Sequence, residues 1–184
     1  MRLSDGEKLI LMMLCDVYEK LGIKECIEPK VVREAIYSGN LWGLSERYPG
    51  IFDNAEKSRA TVDEVGKILD MWFIIETSHA RLATIDKDKI TKAEVPFKSV
   101  KFPGFDGNDE GAHRSIALFY INQLDLFSHF KGRGDLNSHM PSIDSYRRMF
   151  RAYEMIRPSL VDRQLTADEI IQLLEAAVHP SLRR

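Results

Sequence analysis

Only two cysteines, Cys15 and Cys26, occur in the 184 residues, and no histidine lies close to either. A zinc knuckle and a Cys–His nucleophile are therefore not suggested, and two thiols in a reducing compartment are expected to be structural. Long apolar runs are missing as well. The longest unbroken ones, Leu9–Cys15 and Met71–Ile75, fall short of the roughly 20 residues that span a bilayer. Asp5 and Glu7 put negative charge where a signal peptide carries positive charge, and Met13 and Leu14 are too bulky to precede a lipid-modified Cys15. A cytoplasmic location without a membrane partner is expected. No sign of charge dominates: 26 Lys and Arg stand against 28 Asp and Glu, a net charge of −2. That balance argues against a wholesale polyanion binder, so direct nucleic-acid binding is not expected of the chain as a whole. No Walker loop, dinucleotide fingerprint, His-Glu-x-x-His helix, Cys-x-x-Cys pair or Gly-x-Ser-x-Gly elbow occurs, which removes the motif-bearing routes to familiar enzyme classes and leaves no cofactor implied.

What is present is helical periodicity. Ser4-Asp-Gly-Glu7 is a capping box; behind it Leu9 or Ile10, Met13, Leu14, Val17 and Leu21 form one stripe, and Gly22 stops the helix. Cys15 falls on an apolar helical face and reads as a small hydrophobe. Pro29 suits the first turn of a short helix ending near Ser38-Gly39, and Leu41–Tyr48 reads as another, closed by Pro49-Gly50. Thr61-Val-Asp-Glu64 repeats the capping-box pattern and opens the strongest helix, over 61–82, with Val65, Ile68, Trp72, Ile75, His79 and Leu82 on its stripe. Because Met71–Ile75 is apolar all round, this helix is expected at the centre of the core. Residues 84–104 lack a period, with Lys98–Phe102 a candidate extended stretch. A second long helix is expected over 109–130, with Ile116, Tyr120, Leu124 and Phe127 inward, then one over 143–156. Thr166-Ala-Asp-Glu169 is a third capping box, opening a last helix to about Val178. The expectation is one all-α domain over 1–184, long enough to bury a core without disulfide or metal.

The segment Phe102–Glu110 is the most unusual. Asp106, Asn108, Glu110 and Gly111 fit the early positions of an EF-hand loop, but Ala117 stands where the bidentate glutamate belongs. The better reading has Asp106 or Asn108 capping the following helix, with Phe102 and Phe105 pinned to the core. Glu110-x-x-His113 occurs once, whereas a dimetal bundle needs that pattern twice, so no metal site is expected. His79 reads as a hydrogen-bonded core histidine, and His129 as the local partner of Asp125. Ser138, His139 and Asp144 carry the residue types of a triad, but sequence shows no elbow to hold them.

Lys131, Arg133, Arg147, Arg148 and Arg151 are the one basic concentration, and the last three share a helical face opposite the aromatic stripe. They are the anion-binding candidates. Polar residues interrupt the apolar pattern in the Gly104–Glu110 turn and the Asn137–Pro141 loop. Asp106, Asn108, Glu110, Asn137 and His139 are therefore the ligand-binding candidates, and a shared pocket requires the two segments within about 15 Å.

Phe102-x-Gly-Phe-Asp106 with Asn108 and Glu110, then Asn137-Ser-His139-x-Pro141, then Tyr146-x-x-Met149 resemble, in order and spacing, the YfbU family of small prokaryotic proteins. Lys8–Leu11 and Leu165–Ile170 resemble family segments too, so the likeness runs nearly the whole chain. The resemblance implies no enzymatic activity, cofactor or catalytic residue to carry over. Some relatives join this domain to a small DNA-binding module, which implies a ligand-sensing or regulatory role; here nearly all residues belong to the domain itself, so DNA contact requires a partner. The leading expectation is a non-catalytic binding or regulatory domain that takes a small-molecule ligand or a protein partner. The rivals are a hydrolase pairing Asp106 or Glu110 with His139, and a phosphate or nucleic-acid binder using the arginine face. Tyr37, Leu41, Trp42, Leu44, Tyr48, Ile51 and Phe52 crowd a short stretch that cannot turn every side chain inward, and a homodimer with Trp42 near its interface is expected.

Overall fold

A computed structural model describes residues 2–24, 27–52, 57–93, 95–97, 99–179 and 181, which leaves Cys26 outside the described residues. Among these the protein is all-α, with no sheet and one isolated bridge, Phe105 to Asn137. No helix among them is long and apolar enough to cross a membrane. The chain divides into two compact units, Met1–Glu56 and Lys57–Arg184.

The first unit contains α1 (Asp5–Leu21), α2 (Pro29–Tyr37), α3 (Trp42–Arg47) and α4 (Pro49–Phe52). The Ser4 hydroxyl accepts from the Glu7 amide at 3.3 Å, and the Glu7 carboxylate accepts from the Ser4 amide at 2.7 Å, the reciprocal cap that the sequence predicts. Gly22 closes α1 at φ 64°, a left-handed conformation that costs glycine little. Pro29 begins α2, where its missing N–H would be unpaired anyway. Pro49 likewise begins a one-turn helix instead of ending the structure there. The core of this unit is small: Cys15, Val32, Ala35 and Leu44, flanked by Leu11, Ile27, Val31, Ile36, Leu41 and Tyr48. The Cys15 thiol sits 3.7 Å from the Pro29 carbonyl oxygen, and burial pushes its pKa up. The apolar stripe of α1 lies outside this core. Leu9, Ile10, Met13, Leu14, Val17 and Leu21 are all exposed. The helix is apolar on two faces, and α2 covers only the narrower one, through Leu11 and Cys15.

The second unit contains α5 (Arg59–Arg81), α6 (Thr84–Lys92), α7 (Gly111–Asn122), α8 (Ile143–Ile156) and α9 (Ala167–Ala176), with 3₁₀ turns at Ser128–Phe130 and Arg157–Ser159. Its core is centred on α5 as expected, with Val65, Ile68, Leu69, Met71, Trp72 and Ile75 buried. The Trp72 ring stands edge-on to Phe97 at 5.2 Å and to Tyr146 at 5.9 Å, geometry that the aromatic quadrupole favours. The Thr166–Glu169 capping box forms on α9 as predicted.

Four expectations are corrected here. Ser58, not Thr61, caps α5, accepting from the Thr61 amide at 3.1 Å; Glu64 is thereby released from any cap and turns to His113 and Arg147. The charged stretch after Leu82 is a helix, α6, that buries Ile90 and pairs Lys89 with Asp168 on α9 at 2.6 Å. The long helix expected over 109–130 stops at Asn122. The Gln123 and Leu124 amides both donate to Phe119 oxygen, and Asp125 takes a left-handed φ of 56°. The chain therefore turns, leaving Leu124 exposed and Phe130 buried. His129 pairs with Glu76 and not with Asp125, which holds Lys131 at 2.7 Å.

Candidate functional site

Two loops meet in the second unit. The Phe105 amide donates to the Leu136 carbonyl at 3.0 Å, and the Ser138 amide returns a 3.0 Å bond to the Phe105 carbonyl. Gly104 makes the approach possible. It holds φ 98°, and any Cβ there would collide with the Leu136 carbonyl. Its own carbonyl accepts from the Tyr146 hydroxyl at 2.7 Å. Asn137 Oδ1 accepts from the Gly107 and His139 amides, each at 3.0 Å, and Asp106 Oδ1 accepts from the Asn108 amide at 3.2 Å.

Glu110 is the hub. Its carboxylate accepts from the Asp106 amide at 2.9 Å, the Ser142 amide and hydroxyl at 2.6 Å each, and the Ile143 amide at 2.8 Å. Burial alone pushes this carboxyl up, but the bonds from Ser142, Ile143 and Asp106 outweigh it and hold the pKa below its ordinary value. Glu110 therefore caps α8 across the loop junction, while α7, whose N-cap position it occupies, begins without a side-chain cap. Neither Asp106 nor Asn108 caps α7, in contrast to the sequence expectation. Asp106 Oδ1 is taken instead by the Asn108 amide, and the Asp106 backbone carbonyl accepts from the Glu110 amide at 3.0 Å.

The structure thus joins Asp106, Asn108, Glu110 and Asn137 in one knot, with the two segments in direct hydrogen-bond contact. His139 follows on the same loop, exposed and at a left-handed φ of 55°. The polar groups of the knot face one another, so the arrangement joins helices. Ser138 donates to the Met140 carbonyl at 2.7 Å, and Asp144 pairs with Arg147 at 3.3 Å, so neither is set against His139 as in a triad. Glu110 and His113 point to different partners, Ser142 and Glu64 respectively, and do not converge as metal ligands.

A second carboxylate cluster escaped the sequence reading. Buried Glu76 takes Arg133 in a bidentate pair at 2.7 Å for each bond, accepts from the Phe102 amide at 2.7 Å, and meets His129 Nε2 at 2.9 Å. Burial pushes its pKa up, and the Arg133, Phe102 and His129 bonds more than offset that, so it stays below its usual value. The available signal was a lone carboxylate one turn after Trp72 on the core register of α5; its side-chain partners lie more than 50 residues away and the Phe102 amide 26. His79 is half-buried, its imidazole has no hydrogen bond among the described residues, in contrast to the hydrogen-bonded core histidine expected, and burial with the charge of Lys87 holds its pKa down.

The basic set divides. Lys131 and Arg133 are held by Asp125 and Glu76. Arg147, Arg148 and Arg151 line a cleft of about 610 Å³ between α8 and α9, with Gln172, Glu175 and His179 opposite. Arg147 is anchored by Glu64 at 2.7 Å, and Arg148 bonds the Ala177 carbonyl through Nε at 3.1 Å. Arg151 is exposed, and its guanidinium carries no ion pair or hydrogen bond among the described residues.

The family model described as the YfbU domain matches residues 1–176. The UPF0304 protein MJECS11 of Methanocaldococcus jannaschii is 34% identical over 79 residues, a stretch covering 41% of this chain and 46% of that protein. The match therefore spans about half of that relative's length.

Proposed function

This chain belongs to the YfbU family, and from that premise we propose that it is a non-catalytic binding domain, regulatory in role, that recognises a phosphate-bearing small molecule in the α8–α9 cleft. The observation that carries the reading is Arg151. Its guanidinium has no partner among the described residues, and it lines a cleft in which two further arginines are already positioned by Glu64 and by the Ala177 carbonyl. Guanidinium groups fixed in this way meet a phosphate without first losing their own rotamer freedom, and bidentate Arg–phosphate bonds are among the strong charge-assisted ones. Asp144 and Glu175 on the same rim oppose indiscriminate anion binding and would orient a ligand carrying hydrogen-bond donors beside its phosphate. The loop knot around Glu110 then serves as the frame that fixes the start of α8, the helix that presents the arginines.

Titration of the full chain with inorganic pyrophosphate, followed calorimetrically, tests this. Saturable binding that weakens at least tenfold in Arg151→Ala and falls with added salt is the expected result. Absence of binding, or binding indifferent to Arg151, overturns the reading. Duplex DNA binding through the same arginines, with a much steeper salt dependence, would replace the small ligand by nucleic acid.

A further inference from the structure

We propose that the outward face of α1 seats the α1 helix of a second copy of this chain, antiparallel and crossing near Met13 and Leu14. Ile10, Leu14, Val17 and Leu21 follow one another at intervals of four, three and four residues, the spacing of a seam between paired helices. Met13 lies beside them. All are exposed, Ile10 at 53%, Leu14 at 49% and Leu21 at 69%. The inner face of the same helix is already occupied, since Leu11 and Cys15 pack with Val32 and Ala35 of α2. A soluble chain rarely leaves a continuous apolar helical face uncovered.

The occupant follows from the charge along the helix. Asp5 and Glu7 lie in the first turn and Lys20 in the last, where the nearby Asp16 and Glu19 are held by Arg33 of α2. Asp5 pairs locally with Lys8, yet its side chain is 97% exposed. Reversing a second α1 against the first sets its basic end beside the acidic one at both ends and opposes the two helix dipoles. A single surface is then complementary to itself under a two-fold axis, as closed dimers require. A 17-residue helix is about 25 Å long and about 10–12 Å across, so half its circumference is about 17 Å. A strip of that size covers roughly 430 Å² per copy and about 850 Å² in total, which leaves a small remainder to neighbouring residues before the lower bound of about 1,000 Å² for a specific interface is reached. Exposed Ile51 and Phe52 adjoin the face at Leu14, with which they line an apolar groove of about 380 Å³ that also takes in Leu11, Cys15 and Val32 of the unit's own core. Trp42, exposed on α3, does not line that groove, so the interface centres on α1 and not on Trp42.

Light scattering of the full chain at micromolar concentration gives twice the 21.1 kDa chain mass if the proposal holds. Ile10→Glu with Val17→Glu halves that mass while leaving the far-ultraviolet dichroism unchanged, since both side chains are outside the core; Trp42→Ala does not alter it. A mixture of Ile10→Cys and Val17→Cys chains forms a disulfide-linked dimer under mild oxidation beyond the wild-type background, and Ile10→Cys alone does not. A monomeric wild type, a dimer that survives both α1 charges, or a dimer dissolved by Trp42→Ala overturns the proposal, and efficient Ile10→Cys self-linkage overturns the antiparallel arrangement.

Discussion

In α5, Val65, Ile68, Trp72 and Ile75 recur at helical spacing and all are buried; in α1, Ile10, Met13, Leu14 and Val17 recur at helical spacing and all are exposed. The sequence patterns are alike. What differs is the number of elements available to cover them. In the second unit, α5 packs against α7, α8 and α9, and the aromatic residues of the 97–105 segment close over Trp72. In the first unit, α1 packs against α2. A second contrast follows from the first. A core large enough to exclude water makes buried carboxylates expensive unless they are fully bonded, and the second unit answers with Glu76 and Glu110, each saturated with donors. Each ties distant loops to a helix. Periodicity is therefore a statement about a helix face, and the partner of that face is decided elsewhere.

The comparison breaks most sharply at Glu76. Glu76→Ala leaves the Arg133 guanidinium and the Phe102 amide without their carboxylate, and removing one partner of a buried pair costs about 3–5 kcal/mol. Urea denaturation followed by Trp72 fluorescence in a Trp42→Phe background, where Trp72 is the one tryptophan left of two, reads that loss. A cost below about 1 kcal/mol would show that the cluster behaves as a surface pair. Glu110→Ala ranks next. It uncaps α8 and orphans the Asp106 and Ser142 amides, for about 2–3 kcal/mol, measured in the same way. Loss of protection at the α8 amides in hydrogen exchange should accompany it.

Acid sharpens the contrast between the units. Glu64, Glu76, Glu110 and Glu169 of the second unit are all held below their ordinary value, Glu169 down to about 2 by its Arg163 pair, while in the first unit exposed Glu7 is lowered by its bonds from Ser4. Groups lowered in the folded state contribute stability fully above their ordinary pKa and lose it as pH falls through the folded value. The Trp72 transition should thus weaken from about pH 4.5 downward, with the Glu169 share lost progressively toward pH 2. His79, also lowered, adds a smaller loss beginning below 6.5. A Trp72 transition independent of pH between 6 and 3 would contradict this linkage. The smallest effect belongs to α1: Ile10→Gln on the exposed face should shift the Trp72 transition by less than about 0.5 kcal/mol. A larger loss would mean that the face already contributes to the fold that Trp72 reports.

Periodicity and punctuation were legible from the sequence. The Ser4–Glu7 and Thr166–Glu169 capping boxes, Gly22 at a helix end, Pro29 at a helix start and the core placement of α5 are local rules, written in residues within one or two turns of each other. The closeness of the Gly104–Glu110 turn and the Asn137–Pro141 loop agrees with the expectation drawn from the polar residues that interrupt an apolar pattern there. The chemistry there was not legible. In the sequence Glu110 stands as a ligand-binding candidate, and only the fold brings Ser142 and Ile143, more than 30 residues away, onto its carboxylate. Thr61-Val-Asp-Glu64 carries the same local signal as the two boxes that form, yet Ser58 wins the cap because Glu64 gains His113 and Arg147 across the unit. Sequence decides which residues lie on one face and where a helix can end, since those depend on neighbours along the chain. Tertiary structure alone decides what each face and each charge meets, because a buried ion or an apolar stripe is stabilised by whatever distant residue the fold brings within a few ångströms.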